Sequence, residues 1–345
     1  MFRVPVVRRL GDAAFRLAYR ASIWPHVSNL ARNSLRVLLY HRISDPSDAK
    51  FFGLKSNVSA KPSEFASQLD YIAKHYAVVG LDECLAWIYE GRKLPKRALL
   101  ITFDDGYRDN LTFAHAELAA RRLPWLLFAA TSYIGDAEVF FWDWVAEAFR
   151  QSRLRSAQLP LLGFRSWTES SADPLADQWV DIAKRMTSAA RKDCLEQLAK
   201  ALLVPQLDAP PRGTHLSWEE IAELNRDGCA VGSHTASHCM MLNCLPGQAE
   251  QEIGASRLIL EQKLGSPVRS FSFPYGGPGE YDPEYATLLN QSGIRIAFRS
   301  TGGINFPSEA RMAPFSLRRR AICTRDTVER IAAWAAGASR VTDFQ

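Results

Sequence analysis

The sequence predicts an α/β protein built on a parallel sheet or barrel. Two observations carry that expectation. Short apolar runs alternate with helix-period segments along most of the chain. The segments richest in reactive side chains follow directly on such runs, where α/β barrels carry their functional residues. The 345 residues are 47% apolar and 23% charged, which excludes a mainly disordered chain and leaves ample core for one large domain.

Leu35–Tyr40 reads as the first strand and Pro62–Tyr76 as a helix, with Phe65, Leu69, Ile72 and Tyr76 on one stripe. A short strand at Ala77–Leu81, a helix at Asp82–Glu90 and a fully apolar strand at Ala98–Phe103 follow. Asp109–Arg122 has a helical pattern, and Trp125–Thr131 is another buried strand. Ser217-Trp-Glu-Glu220 is a capping box that opens a helix to Arg226. Strands at Ala230–Ser233, Ser270–Phe273 and Ile294–Phe298 bring the expected number to seven. The rhythm breaks over about 136–214, a gap far longer than the ~30 residues of a βα unit. This stretch reads as a mostly helical insertion into one domain, with an aromatic cluster (Phe140, Phe141, Trp142, Trp144) of which Phe140, Trp142 or Trp144 packs at its base.

Charge is concentrated at the N-terminus. Residues 1–42 hold eight arginines and one acid, a local +7, which leaves −2 for the rest. This is a basic arm (residues 1–34) on a barrel spanning 35–345, and a nucleic-acid-binding body is not expected. From Leu10 to Trp24 the arm reads as an amphipathic helix, with Phe15, Tyr19 and Ile23 on one face and Arg9, Arg16 and Arg20 on another. Two fates are open to it: an anionic membrane surface, reached through residues 1–30, or docking on its own domain. No run approaches a membrane span, and arginines interrupt any signal-peptide core. A cytoplasmic protein, peripheral at the inner membrane face, is the expectation. The six cysteines form no CxxC pair and read as reduced thiols.

Three segments carry chemistry. Thr102-Phe-Asp-Asp-Gly106 ends a buried strand with two carboxylates, which need a cationic partner there. Adjacent residues point in different directions, so one carboxylate can bind a metal ion while the other faces its water. Gly232-Ser-His-Thr-Ala-Ser-His238 presents two histidines four apart after another strand. Asp plus two His leaves open positions on an ion, the arrangement of a catalytic site. Ser272-Phe-Pro-Tyr-Gly-Gly277 bends sharply and lets backbone approach a ligand.

In this order the segments TFDDG (Thr102–Gly106), HTASH (His234–His238) and FPYG (Phe273–Gly276) resemble the first three motifs of the polysaccharide deacetylases, the NodB-like carbohydrate esterases of family 4. The similarity runs loosely from Val37 to Ile322 and looks closest to the exopolysaccharide and surface-glycan type. It implies a distorted (β/α)7 barrel that removes N-acetyl groups from a bacterial polysaccharide or lipid-linked precursor. It further implies Zn²⁺, or Co²⁺, Ni²⁺ or Mn²⁺, bound by Asp105, His234 and His238, with Asp104 as base. The Tyr275 backbone N–H would assist the oxyanion. Beside it, Pro274 and Gly276 are the expected glycan contacts, with Trp142 of the insertion if it stacks on sugar instead of packing at the insertion's base.

The chain departs from the pattern twice. Ser272 stands where many members carry Arg, and the late strand reads Ser316-Leu-Arg-Arg-Arg320 where many supply an acid histidine. His41 follows the first strand, and the first and last strands of a closed barrel are neighbours. Some exopolysaccharide deacetylases that the chain resembles take their acid from such an early histidine, which assigns the proton donor to His41. Two other classes share these motifs: an inactive glycan-binding homologue, and a metallohydrolase that opens a small cyclic amide.

Overall fold

Apolar runs without polar alternation form strands covered on both faces. Leu35–Tyr40 (β1) and Ala98–Phe103 (β2) are buried at every position. In this computed structural model, which describes residues 16–337 except 30, 32, 207–208 and 246, they lie side by side in a parallel sheet. Leu126–Ala129 (β3), Ala230–Ser233 (β4), Ser270–Ser272 (β5), Ile296–Arg299 (β6), Leu317–Arg318 (β7) and Arg320–Ala321 (β8) continue it, and the short strand Ala77–Val78 adds to β2 off this run. The order is β7-β6-β5-β4-β3-β2-β1-β8. β7 and β8 are halves of one segment split at Arg319; the first half pairs with β6 and the second with β1. One bent strand thus nearly closes the sheet into the distorted (β/α)7 barrel that the motifs implied.

The expected strand at Ala77–Leu81 shrinks to Ala77–Val78, which pairs with β2. Leu81 instead opens the helix Leu81–Tyr89, whose first turn carries Asp82 and Glu83. Pro62–His75 begins with its proline at the first helical position and buries Phe65, Leu69 and Ile72. Each such side chain contributes about 1.5–3 kcal/mol on leaving water. The capping box before Trp218–Arg226 forms in both directions: Ser217 Oγ accepts from Glu220 N, and Glu220 Oε2 from Ser217 N. Asp109–Arg122 is less regular than its pattern, with a π-helical Asn110–His115 before Ala116–Ala120. At its start Asp109 accepts from Arg42 Nε and Ile43 N, and Asn110 Nδ2 donates to His41 O, which ties this turn to the end of β1.

The insertion contains helices Phe141–Gln151, Glu169–Ala183 and Ser188–Leu202. It also contains an antiparallel hairpin, Ser156–Leu159 with Gly163–Ser166, that the helical expectation omitted. Those strands are four residues each and mostly exposed, so no alternation marks them. Trp144, Phe149, Trp179 and Leu198 form a second apolar cluster that continues onto Tyr107 and Tyr133 of the barrel mouth.

The first residues of the expected Leu10–Trp24 helix lie outside the described residues. Its remainder is broken at Ser22, with φ +54°, and resumes as Ile23–Ser28. Tyr19 packs 5.5 Å from Tyr71, and Trp24 lies against the barrel core. Ser28 Oγ hydrogen-bonds Tyr76 Oη, and the buried Arg36 donates to Ser28 O. The arm from residue 16 onward is therefore docked on the barrel, so Tyr19 is not available for a membrane face. Among the described residues no helix is long and apolar enough to cross a membrane.

Candidate active site

Strand register brings the first two site residues together. Tyr40 pairs with Phe103, and Asp104 N donates to Tyr40 O at 3.0 Å, so His41 and Asp104 leave the same rim side by side. Asp105 then takes φ +78° and Gly106 φ +94°. A Cβ at Gly106 would lie 2.9 Å from Ile134 Cδ1. The tight turn aims both carboxylates into one cleft.

His234 follows β4, and its Nδ1 donates to Ser272 O at 2.8 Å. That bond fixes the ring and leaves Nε2 facing Asp105 Oδ1 at 3.5 Å. His238, at φ +53°, brings its Nε2 to 3.2 Å from the same oxygen. These three buried residues place their ligand atoms within 4.8 Å of one another. Asp105 Oδ1 is buried without a hydrogen-bond donor, a costly state that a cation relieves. One carboxylate and two imidazoles suit a divalent ion with open coordination positions. Asp105, His238 and Tyr275 all adopt left-handed backbone conformations, at about 1–3 kcal/mol each. Strain is concentrated where the ligands converge.

Arg319, at the bend between β7 and β8, is fully buried and forks onto Asp104: Nη1 to Oδ1 and Nη2 to Oδ2, both 2.7 Å. Ser272 Oγ donates to Asp104 Oδ2 at 3.0 Å and accepts from Arg319 Nη2 at 2.6 Å. Burial alone would push the Asp104 carboxyl up. Arg319, then His234, reverse this and hold it below the usual carboxylate range. The guanidinium missing at position 272 thus reaches the carboxylate from the other end of the sheet.

The cleft holds about 260 Å³ and is lined by His41, Asp104, Asp105, His234, His238 and Tyr275. Trp142 from the insertion also lines it, but its ring is mostly committed to packing. It stacks on Phe140, meets the His238 ring edge-on at 4.8 Å and donates to Tyr107 Oη. Pro274 and Gly276, expected to contact the glycan, do not line the cleft. Tyr275 and Gly276 both have positive φ, and Gly276 O accepts from Ser300 N; Tyr275 and Ser300 line the cavity instead.

Sequence reasoning missed Arg319, Asn57, Tyr107 and Asp143. Asn57 Nδ2 reaches Asp105 Oδ2 at 3.3 Å and Tyr107 Oη at 3.4 Å, and Tyr107 Oη donates to Asp143 Oδ2 at 2.7 Å. Burial raises the Asp143 carboxyl to about 6. The signal for Asp143 was present, as an acid inside the aromatic run Phe140-Phe-Trp-Asp-Trp144.

Paired carboxylates and two imidazoles converging at the C-terminal rim of a parallel barrel make a candidate hydrolytic site with a place for a divalent ion. A family model for polysaccharide deacetylase matches residues 91–297, and the chain belongs to that family, among the carbohydrate N-deacetylases. The fold is shared with IcaB from Ammonifex degensii, 22% identical, over 88% of this chain and 97% of that one (TM-score 0.55). It is shared with the BpsB deacetylase domain from Bordetella bronchiseptica, at 17% identity over 84% and 96% (TM-score 0.53). Streptococcus pyogenes PplD, solved in complex with acetate, aligns at 15% identity over 86% and 96% (TM-score 0.55). No curated protein sequence matches the chain.

Proposed function

We propose that the protein removes N-acetyl groups from N-acetylhexosamine units of a bacterial polysaccharide or lipid-linked glycan precursor, with one divalent ion, Zn²⁺ foremost. The observation that carries this reading is a single cleft holding the Asp105–His234–His238 trio, the Arg319-braced Asp104 and His41. An ion held by the trio would polarise the acetamido carbonyl and acidify the attacking water.

Asp104, kept ionised by Arg319, accepts the proton of the water that adds to the carbonyl carbon. The Tyr275 N–H donates to the developing oxyanion. His41 protonates the nitrogen as the C–N bond breaks, and acetate and a free amino sugar leave. The intact Asp104, Asp105, His234 and His238 weigh against an inactive glycan-binding homologue.

The test is acetate release by zinc-loaded protein from N-acetylglucosamine oligomers, lipid-linked acetamido sugars and small cyclic amides. Release from a sugar substrate supports the reading. Turnover of the cyclic amides alone would replace it.

A further inference from the structure

The insertion helix Glu169–Ala183 carries an acidic stripe, Asp173, Asp177 and Asp181, at four-residue spacing and so on one face. The first two are anchored. Asp173 pairs with Lys55 at 3.0 Å and with Arg150 at 2.7 Å, and Asp177 accepts from Ser56 Oγ at 2.6 Å. The next residue after Ser56 is Asn57, which touches the candidate metal ligand Asp105. Three consecutive residues, Lys55 to Asn57, therefore fix the helix relative to the reaction centre.

Asp181 lies one turn beyond that anchor. It pairs with Lys184 at 2.8 Å, and both line the catalytic cleft together with Val180. The pair is open to solvent, with Asp181 71% and Lys184 26% exposed, and such pairs add little to stability. The cleft's 260 Å³ falls below the ~300–1,000 Å³ of sites for larger ligands, so it has room for about one sugar ring.

We infer that this helix walls the cleft into a one-ring pocket, in which Asp181 and Lys184 select an N-acetylhexosamine at a chain end or on a carrier over a polymer interior. The carboxylate accepts from one ring hydroxyl, the ammonium donates to its neighbour, and Trp142 and Val180 form the apolar side. This inference rests on the deacetylase reading and adds the specificity pair to it.

The test uses zinc-loaded full-length protein with the β-methyl glycoside of N-acetylglucosamine and with its β-1,4-linked pentamer. Acetate release is followed, and the free amine is located by mass spectrometry. Deacetylation only at a terminal ring is expected, with Lys184→Met and Asp181→Asn each raising KM roughly tenfold, the scale of one lost hydrogen bond, at unchanged zinc content. Amines on interior rings, or wild-type KM in both variants, would overturn it. If wild-type protein releases acetate from neither compound, the deacetylase reading is decided by the lipid-linked acetamido sugars, and ligand-observed NMR with the methyl glycoside decides the pocket separately. Binding weakened by Lys184→Met supports it; absent or unchanged binding overturns it.

Discussion

Asp104 and Asp105 are adjacent in the chain yet face different partners: a buried guanidinium for the first, two imidazoles for the second. Substitutions should therefore separate them. Asp105→Ala is expected to empty the site of zinc, measured by elemental analysis. Asp104→Asn should keep the zinc and lose turnover by roughly 10²–10⁴. The opposite pattern would exchange their roles. His41 stands beside Asp104 through the β1–β2 register, and its carbonyl accepts from Asn110 Nδ2. His41→Ala should also cost about 10²–10⁴ in kcat with metal retained, the range for a lost acid–base group. Near-normal turnover would remove it from the mechanism.

At the scale of the element, the bent strand β7–β8 does two jobs. It bridges β6 to β1 and turns Arg319 inward at the bend. Arg319→Met takes the guanidinium fork from the buried Asp104 charge and leaves it only Ser272 Oγ and the His234 ring, so a loss of up to about 3–5 kcal/mol in unfolding free energy is expected by denaturant titration. The same variant changes the pH profile. Arg319 holds the carboxyl pKa down, so its removal raises that pKa, and the low-pH limb of kcat/KM should move to higher pH. Arg319→Lys keeps the charge without the fork and should fall between the two. A limb that stays in place in Arg319→Met would separate Arg319 from the titration of the base.

For the whole molecule, the uneven charge matters. We propose that the basic arm adds a weak, salt-sensitive affinity for anionic membranes, which would hold the protein peripherally at the cytoplasmic face. Its arginines are the driving force, since Tyr19 and Trp24 are engaged by the barrel. Cosedimentation with vesicles rich in anionic lipid, with and without residues 1–15, checks this. Full-length protein should sediment more, and high salt should erase the difference. Equal partitioning at low salt would leave the arm a purely structural element.

The strands and the motif residues were legible in the sequence because both are local. An apolar run reports its own burial, and a strand end places the next residue at the barrel rim. Hence Asp104, Asp105, His234 and His238 stood out, and the capping box at Ser217 fixed a helix start. Arg319 and Asn57 did not, because their partners lie 215 and 48 positions away and no spacing rule links them. The packing of the insertion over the cleft was likewise a matter of tertiary contacts: Asp173 and Asp177 are held by Lys55 and Ser56, more than a hundred positions away in the chain. The sequence by itself determined the barrel and the reactive groups at its rim. The fold alone decided which cation neutralises the buried carboxylate and which wall bounds the substrate, because both depend on charges brought together by closure of the sheet.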